Sequence, residues 1–257
     1  MSVLRKIFAK VSGKPEQQLK NEALRKAALK GNFTRAQKLL AEGADVDYRD
    51  VNSLTPLYFA ASHGFNDITK LLLEHGATPD VGKDKDLEGS ALTQAAYWGY
   101  FDVVKTLVEY KADLNLKGYE LRSALHEAIW KGREEIAAFL VEAGTKTDTQ
   151  SRMGTTPLQD AVLNDLRRTA VALCRHGADA SVTDRSGDTV RDIMTRKGWD
   201  DAVAAIDAFA QEQAEKQRRA LEEERQRKEG LAAAIESAPV LQSDLVVKKP
   251  IVLKSGS

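Results

Sequence analysis

A segment that recurs about every 33 residues constrains this 257-residue chain more than any other feature. Its best-preserved copy reads TPLYFAASHG and spans residues 55–64. Three markers follow the same ladder, with steps of 33 residues and one step of 35. They are an opening residue (Thr55, Ser90, Ser123, Thr156, Thr189), a closing residue (Gly31, Gly64, Gly99, Gly132, Asp165, Gly198) and a later residue (Gly43, Gly76, Lys111, Gly144, Gly177). A shared period with a shared two-residue insertion indicates an internal repeat.

Each repeat reads as two short helices. Thr55 can cap a helix through its hydroxyl, and Pro56 suits the first helical position. Gly64 can adopt the left-handed conformation that ends this helix. The stretch DITKLLLEH then has apolar residues at helical spacing, and Gly76 ends it. One such unit is too small to bury its own apolar face, so neighbouring units are expected to stack into a solenoid.

The 33-residue period and the opening TPL-x-x-A resemble the ankyrin repeat, most clearly at residues 55–80 and again at 123–144. The first copy, residues 22–47, has no TPL opening, and the last, residues 187–209, has TVRDIM in its place. Both departures are typical of capping repeats. The resemblance implies an all-α fold, an ankyrin-repeat solenoid of about six helix-turn-helix units joined by β-hairpin-like loops, with a C-terminal charged helix.

The same patterns predict the domain organisation. Residues 1–19 form a basic amphipathic N-terminal segment, and residues 20–209 form the ankyrin repeats. Residues 210–236 form a charged helical extension, and residues 237–257 form a flexible tail that carries a candidate linear motif. The predicted units are 20–49, 50–82, 83–117, 118–150, 151–183 and 184–209.

Residues 1–15 carry basic side chains and no acid. Their apolar residues fall on one helical face, which is typical of a helix that binds an anionic membrane or a partner. The segment also resembles an organelle transit peptide. The favoured alternative is a short helix packed on the first repeat, or a frayed terminus.

Residues 211–229 contain six acids and six bases without a heptad seam, so we predict a solvated helix held by Glu–Lys and Glu–Arg pairs. Gly230 is expected to break this helix, although the following LAAAIESA could resume it. The tail is rich in β-forming residues that could add a strand to the sheet of a partner. Disorder, or packing of the tail on the repeats, is the favoured alternative.

Composition favours a cytoplasmic protein. The chain has 38 basic and 38 acidic residues, which argues against a strongly basic nucleic-acid binder. It has no apolar run long enough for a transmembrane helix, and its start lacks the features of a secretory signal. Cys174 is the single cysteine, so an internal disulfide is excluded and a reducing compartment is the simplest interpretation.

The sequence offers no paired nucleophile and base and no Gly-rich phosphate loop, so we predict no enzymatic activity, no cofactor and no metal. His75 and His176 occupy one repeat position three units apart and cannot share a metal. His126 occupies the histidine position of the ankyrin opening, where the resemblance implies a structural hydrogen bond. Cys174 is expected to be buried and inert. The inserted loop at 79–89 lacks the glutamate of a calcium loop.

The ankyrin resemblance also indicates where a partner would bind. The exposed, variable positions are the hairpin tips before the opening residue and the pair before the closing glycine. Two of the three tryptophans fall on such pairs in adjacent repeats, and aromatic residues and arginine dominate interface hot spots. The alternative is that these rings fill gaps between neighbouring helices. The predicted partner-binding residues are Tyr97, Trp98, Tyr119, Arg122, Trp130, Lys131, Arg152, Met153 and Leu163.

We therefore predict a non-catalytic protein–protein interaction module, acting as a scaffold, adaptor or inhibitor. It is expected to be monomeric when free and to bind another protein through the concave aromatic face of the middle repeats. The alternative is a membrane-associated adaptor tethered by its basic N-terminal helix. An enzyme is the third hypothesis, and no catalytic residues can be named for it.

Overall fold

The computed structural model describes residues 15–80, 89–184 and 186–237. Within these residues the chain forms twelve α-helices, one 3-10 turn at Tyr119–Leu121, and no strand, as predicted for an all-α protein. The helices are α1 (Glu16–Leu29), α2 (Phe33–Ala41), α3 (Pro56–Ser62), α4 (Asn66–Glu74), α5 (Ala91–Trp98), α6 (Phe101–Glu109), α7 (Ala124–Trp130), α8 (Glu134–Glu142), α9 (Pro157–Leu163), α10 (Arg167–Arg175), α11 (Val190–Arg196) and α12 (Asp200–Ser237).

From the second unit onward, the opening residue caps the first helix of its unit. The Thr55 hydroxyl accepts a hydrogen bond from the Tyr58 N–H at 3.2 Å, and Ser90 caps α5 through the Thr93 N–H in the same way. Such caps satisfy backbone donors that the helix itself leaves free. The closing residue then takes a left-handed conformation, with φ of 75° at Gly64 and of 58° at Asp165. From the second unit onward these two devices hold each first helix to seven or eight residues, about two turns, whereas α1 has 14 residues.

First helices of successive units pack side by side, so that α3 lies between α1 and α5, and α7 lies between α5 and α9. Four of the five opening residues are followed two positions later by a leucine that is fully buried in this stack, at Leu57, Leu92, Leu125 and Leu158. Small residues such as Ala60 and Ala95, both 0% exposed, let the helix axes approach closely. The core is therefore continuous through the units, as the solenoid prediction requires.

The loops between units are hairpin-like turns, as predicted. In the first of these loops the Asp50 N–H donates to the Leu54 carbonyl at 3.1 Å, and the Ser53 N–H donates back to the Asp50 carbonyl at 2.9 Å. The same two bonds recur at residues 151–155 and 184–188.

A ladder of side-chain bonds ties each loop to the next. Asp47 accepts from the Thr78 N–H at 3.0 Å, Asn115 accepts from the Lys146 N–H at 2.9 Å, and Asp148 accepts from the Asp179 N–H at 3.1 Å. Acceptors and donors each hold one repeat position, so the bonds fix the register between neighbouring units.

The chain divides into two compact units, residues 1–210 and residues 211–257. In the second unit the described residues belong to α12 and form ion pairs one turn apart, such as Glu212–Lys216 at 2.7 Å and Glu224–Lys228 at 2.7 Å. The expectation that Gly230 breaks this helix is wrong, because α12 continues through it to Ser237. A single glycine costs a helix only about 1 kcal/mol relative to alanine, which flanking residues can offset.

The predicted boundary at residue 20 falls inside α1, which begins at Glu16, and the boundary at residue 210 falls inside α12. The interpretations of residues 1–14 as a basic amphipathic segment and of residues 238–257 as a linear motif lie outside the described residues. The described residues contain no helix both long and apolar enough to cross a membrane.

Candidate partner-binding surface

Neighbouring helices α5 and α7 bring three aromatic side chains together at their C-terminal ends. The Tyr97 ring centroid lies 5.0 Å from that of Trp98 and 5.9 Å from that of Trp130. Trp98 is 50% exposed and Trp130 is 48% exposed. We refer to Tyr97, Trp98 and Trp130 as the aromatic cluster. Its rings pack against each other and still present a large apolar surface to solvent.

Two cations lie on the rings of this cluster. Lys131 Nζ is 4.4 Å from the Tyr97 centroid and 4.0 Å from the Trp130 centroid. Arg122 Cζ is 4.4 Å from the Trp130 centroid. These are favourable cation–π distances, since a positive charge is attracted to the electron-rich face of a ring. Within the described part of the chain, neither cation forms an ion pair with a carboxylate.

A cleft of about 420 Å³ opens beside the aromatic cluster. Its floor includes Glu127, which is 8% exposed and whose Oε2 atom has no hydrogen-bond partner among the described residues. Burial raises the pKa of Glu127, and the positive charges of Arg122 and Lys131 partly oppose that rise. The lining residues are Thr93, Gln94, Tyr97, Trp98, Gly118, Arg122, Glu127 and Trp130.

The structure brings five of the nine predicted residues into contact: Tyr97, Trp98, Arg122, Trp130 and Lys131. Arg152 and Met153 lie exposed on the next hairpin, where the Arg152 N–H donates to the Glu120 carbonyl at 2.9 Å. Leu163 ends α9 and is 66% exposed. Tyr119 lies in the 3-10 turn, and its side chain is outside the described part of the structure.

Sequence reasoning missed the polar side chains of the cleft. Gln94 and Glu127 occupy the same position, four residues after the opening residue, and Asp160 holds that position in the following repeat. Burial raises the pKa of Asp160 as well. The second unit has Phe59 at this position, whereas the next three repeats have a polar residue there. That change from aromatic to polar was the sequence signal for a polar cleft.

Sequence reasoning also missed Leu121, which is 49% exposed at the edge of this surface with φ of 57°. Left-handed φ values are unfavourable for a residue with a branched side chain. The equivalent positions in the next two repeats are Gly154 and Gly187, so a non-glycine residue here was the visible signal.

The histidine implied to be structural has that role. His126 is buried, its Nδ1 lies 2.9 Å from the Ser123 hydroxyl, and its Nε2 lies 3.0 Å from the Thr149 carbonyl. Because a carbonyl only accepts, Nε2 carries the proton and Nδ1 is the acceptor. Burial lowers the pKa of His126 to about 4, so the ring is neutral near pH 7.

The remaining groups that could carry chemistry are held structurally. His75 and His176 each place Nδ1 within 2.9 Å of a carbonyl in their own helix. Cys174 is 1% exposed, and burial raises the pKa of its thiol to about 12, which confirms the prediction of a buried, inert thiol. The described residues include no group of three or more metal-ligating side chains.

Comparison with known proteins identifies the repeats. A family model for ankyrin repeats, in three copies, matches residues 24–118. An ankyrin repeat and KH domain-containing protein of Caenorhabditis briggsae is 34% identical over 129 residues, which are 50% of this chain and 5% of that protein. Human Rabankyrin-5 is 29% identical over 178 residues, covering 58% of this chain and 15% of that protein.

A further relative is the potassium channel KOR1 of Oryza sativa subsp. japonica, which is 34% identical over 177 residues, covering 58% of this chain and 20% of the channel. The chain therefore spans at most about a fifth of the length of these relatives. The names of these relatives describe different proteins.

Proposed function

Because this chain belongs to the ankyrin-repeat family, whose repeats generally mediate protein–protein interaction, we propose that it binds one protein partner through the aromatic cluster of its middle repeats. It acts as a scaffold, adaptor or inhibitor without catalysing a reaction. The observation that carries the proposal is the exposure of two indole rings, Trp98 and Trp130, from adjacent repeats beside a cleft.

The aromatic cluster has the composition of an interface hot spot. Tryptophan, tyrosine and arginine are the residue types that contribute most to binding when partner atoms cover them. Trp98 and Trp130 expose apolar area that the fold does not need to expose, since each could have been a polar residue at the end of its helix. Large exposed apolar patches on folded proteins mark interaction sites.

We propose that the partner is a protein rather than a nucleic acid, because equal numbers of acidic and basic residues give little net attraction to phosphate. A free, reduced Cys174 favours a cytoplasmic location. We take the free protein to be monomeric, so that the aromatic cluster is available to the partner.

The test combines capture with stability. The double variant Trp98→Ala with Trp130→Ala should lose capture of the partner from a native lysate, while its melting temperature stays close to that of the parent. Each truncation should weaken binding by about 2 kcal/mol or more if the rings are hot spots, which is roughly thirtyfold in Kd.

The matched control is Leu221→Ala, which removes an apolar side chain that is 69% exposed in the second unit. Its capture should equal that of the parent. If the tryptophan variant unfolds, the rings are part of the core. If it folds and still captures the same partner, the binding site lies elsewhere.

A further inference from the structure

We propose that the partner presents an acidic segment to this surface, with carboxylates on Arg122 and Lys131 and one apolar side chain in the cleft beside Trp98. The inference rests on the proposed function and names the chemistry of the partner. Its support is the charge of the residues around the aromatic cluster.

The cations of this surface lack carboxylate partners within the described residues, whereas an equivalent cation elsewhere has one. Lys197 occupies the position of Lys131 two repeats later and forms an ion pair with Asp165, the closing residue of the preceding repeat. The residue that corresponds to Asp165 for Lys131 is Gly99, which has no side chain. The fold thus supplies a carboxylate to Lys197, whereas the same position beside Lys131 holds no acid. The side chain that lies against Gly99 is that of Arg133, another cation, whose Nε would stand 2.7 Å from a β-carbon at Gly99.

The nearby acids are recessed and do not cover these cations. Glu127 is 8% exposed, and burial raises the pKa values of both Glu127 and Asp160. Glu120 is partly buried in the strained turn, where its carbonyl accepts from the Arg152 N–H. The positive charges of Arg122 and Lys131 both lie on the half-exposed ring of Trp130. Arg152 adds an exposed cation on the next hairpin.

Stacking prepares both cations to receive carboxylates. A guanidinium or ammonium group held on a ring loses less conformational freedom on binding than one on a free side chain. A carboxylate that reaches it forms a charge-assisted hydrogen bond, and the apolar rings nearby exclude water from the pair. The cleft of about 420 Å³ is lined by the aromatic rings and Gly118 and is large enough for an apolar side chain, so an apolar residue next to the acids completes the fit.

Electrostatic attraction of this kind depends on ionic strength. Binding of an acidic segment should weaken as salt rises, because screening reduces mainly the rate of association. A purely apolar contact would be almost independent of salt. Salt dependence in the parent protein therefore tests the inference without any substitution.

The experiment uses the full chain and three short fluorescent peptides that share a central Leu-Phe pair. The flanking residues are glutamates in the first peptide, glutamines in the second and lysines in the third, and a single-stranded oligonucleotide serves as a second anion. Fluorescence anisotropy should show the glutamate peptide bound about tenfold more tightly than the glutamine peptide at low salt, with the preference lost at high salt.

The variant Arg122→Gln with Lys131→Gln should remove this preference. Its matched control, Lys70→Gln with Lys105→Gln, removes the same charge from exposed positions of α4 and α6 and should keep it. Because loss of the stacked cations could disturb the rings, the near-ultraviolet circular dichroism of each variant is compared with that of the parent.

Several results would overturn the inference. They are equal affinity for the three peptides, no binding of any of them, preference for the lysine peptide through Glu127, or tighter binding of the oligonucleotide. The proposed function is judged separately, by capture of the intact partner with the tryptophan variant. A partner that needs Trp98 and Trp130 but not Arg122 and Lys131 would leave the proposed function standing and reject the acidic segment.

Discussion

The ring of Tyr100 lies directly against Gly64, the closing residue of the preceding repeat. A β-carbon on Gly64 would stand 2.7 Å from Cδ1 of this ring, which is closer than packed carbon atoms approach. Phe65 covers Gly31 in the same way, at 2.7 Å. Gly132 differs, because nothing lies within 4 Å of its β-carbon position although its φ is also positive, at 65°. Every closing glycine therefore supplies the left-handed backbone conformation, and some of them also leave room for a ring of the next repeat.

This difference predicts unequal effects of two alanine substitutions. Gly132→Ala should cost about 1 kcal/mol of stability, because only left-handed backbone strain is added. Gly64→Ala should cost about 2 to 4 kcal/mol, since overpacking against Tyr100 adds to the same strain. Urea unfolding followed by circular dichroism measures both changes. Equal losses would mean that the Tyr100 ring moves away freely.

Relief of strain at Leu121 should stabilise the protein. Leu121→Gly is expected to raise the free energy of unfolding by up to about 1 kcal/mol, because glycine adopts φ of 57° without the penalty of a β-carbon. The reciprocal change, Gly154→Leu, places the same side chain at the equivalent turn, where φ is 78°, and should cost a similar amount. A destabilised Leu121→Gly variant would show that the half-exposed leucine contributes more through packing than it loses through strain.

His126 should make stability fall as the solution becomes acidic. The unfolded chain takes up a proton on this residue near pH 6.5, and the native protein does so only near pH 4. Between these values the unfolded state binds more protons, so stability decreases as pH falls, by about 3 kcal/mol over the whole interval.

The next repeat supplies the control for this prediction. Gln159 holds the position of His126, and its Nε2 donates to the Thr183 carbonyl at 3.1 Å as His126 Nε2 does to Thr149. His126→Gln should therefore fold. Between pH 7 and pH 4.5 the free energy of unfolding of this variant should decrease by about 2 to 3 kcal/mol less than that of the parent protein. Parallel stability curves for parent and variant would exclude His126 as the titrating group.

The thiol of Cys174 should report on opening of the repeats. Because it is 1% exposed and its pKa is raised to about 12, a thiol reagent at neutral pH should react only when the fifth repeat opens. Labelling should accelerate with urea in parallel with unfolding. The variant Leu221→Cys, which adds a thiol at an exposed position, should label at once, and prompt labelling of Cys174 itself would contradict its burial.

The fold could be predicted because its determinants recur within one repeat. Thr55 and Gly64 specify the ends of a helix by themselves, and repetition of the pattern identified the solenoid. The arrangement around the aromatic cluster could be predicted only in part. Contact of Lys131 with Tyr97 joins residues of different repeats, and its geometry depends on how far one repeat is shifted against the next.

Burial of Glu127 could not be predicted for the same reason. The polar residues at 94, 127 and 160 suggest an exposed face when the sequence is read alone. Burial at Glu127 arises because Trp130 and Arg122 from its own unit and Trp98 from the neighbouring unit surround the cleft. Gly230 led to the wrong prediction of a helix break. One weak helix former does not outweigh the residues on either side of it, so the helix continues.

Trp98 and Trp130 both contact Tyr97, and they do so only because their two repeats are neighbours. Neither repeat contains the aromatic cluster, so the binding surface is encoded by the order in which the units follow one another. Excision of the 33-residue block 99–131, which contains Trp130 and Lys131, could leave the capping, the buried leucines and the loop ladder in register and still erase the surface. For arrays of this type, rearrangement of whole units is a route to new recognition that needs no change in any single unit.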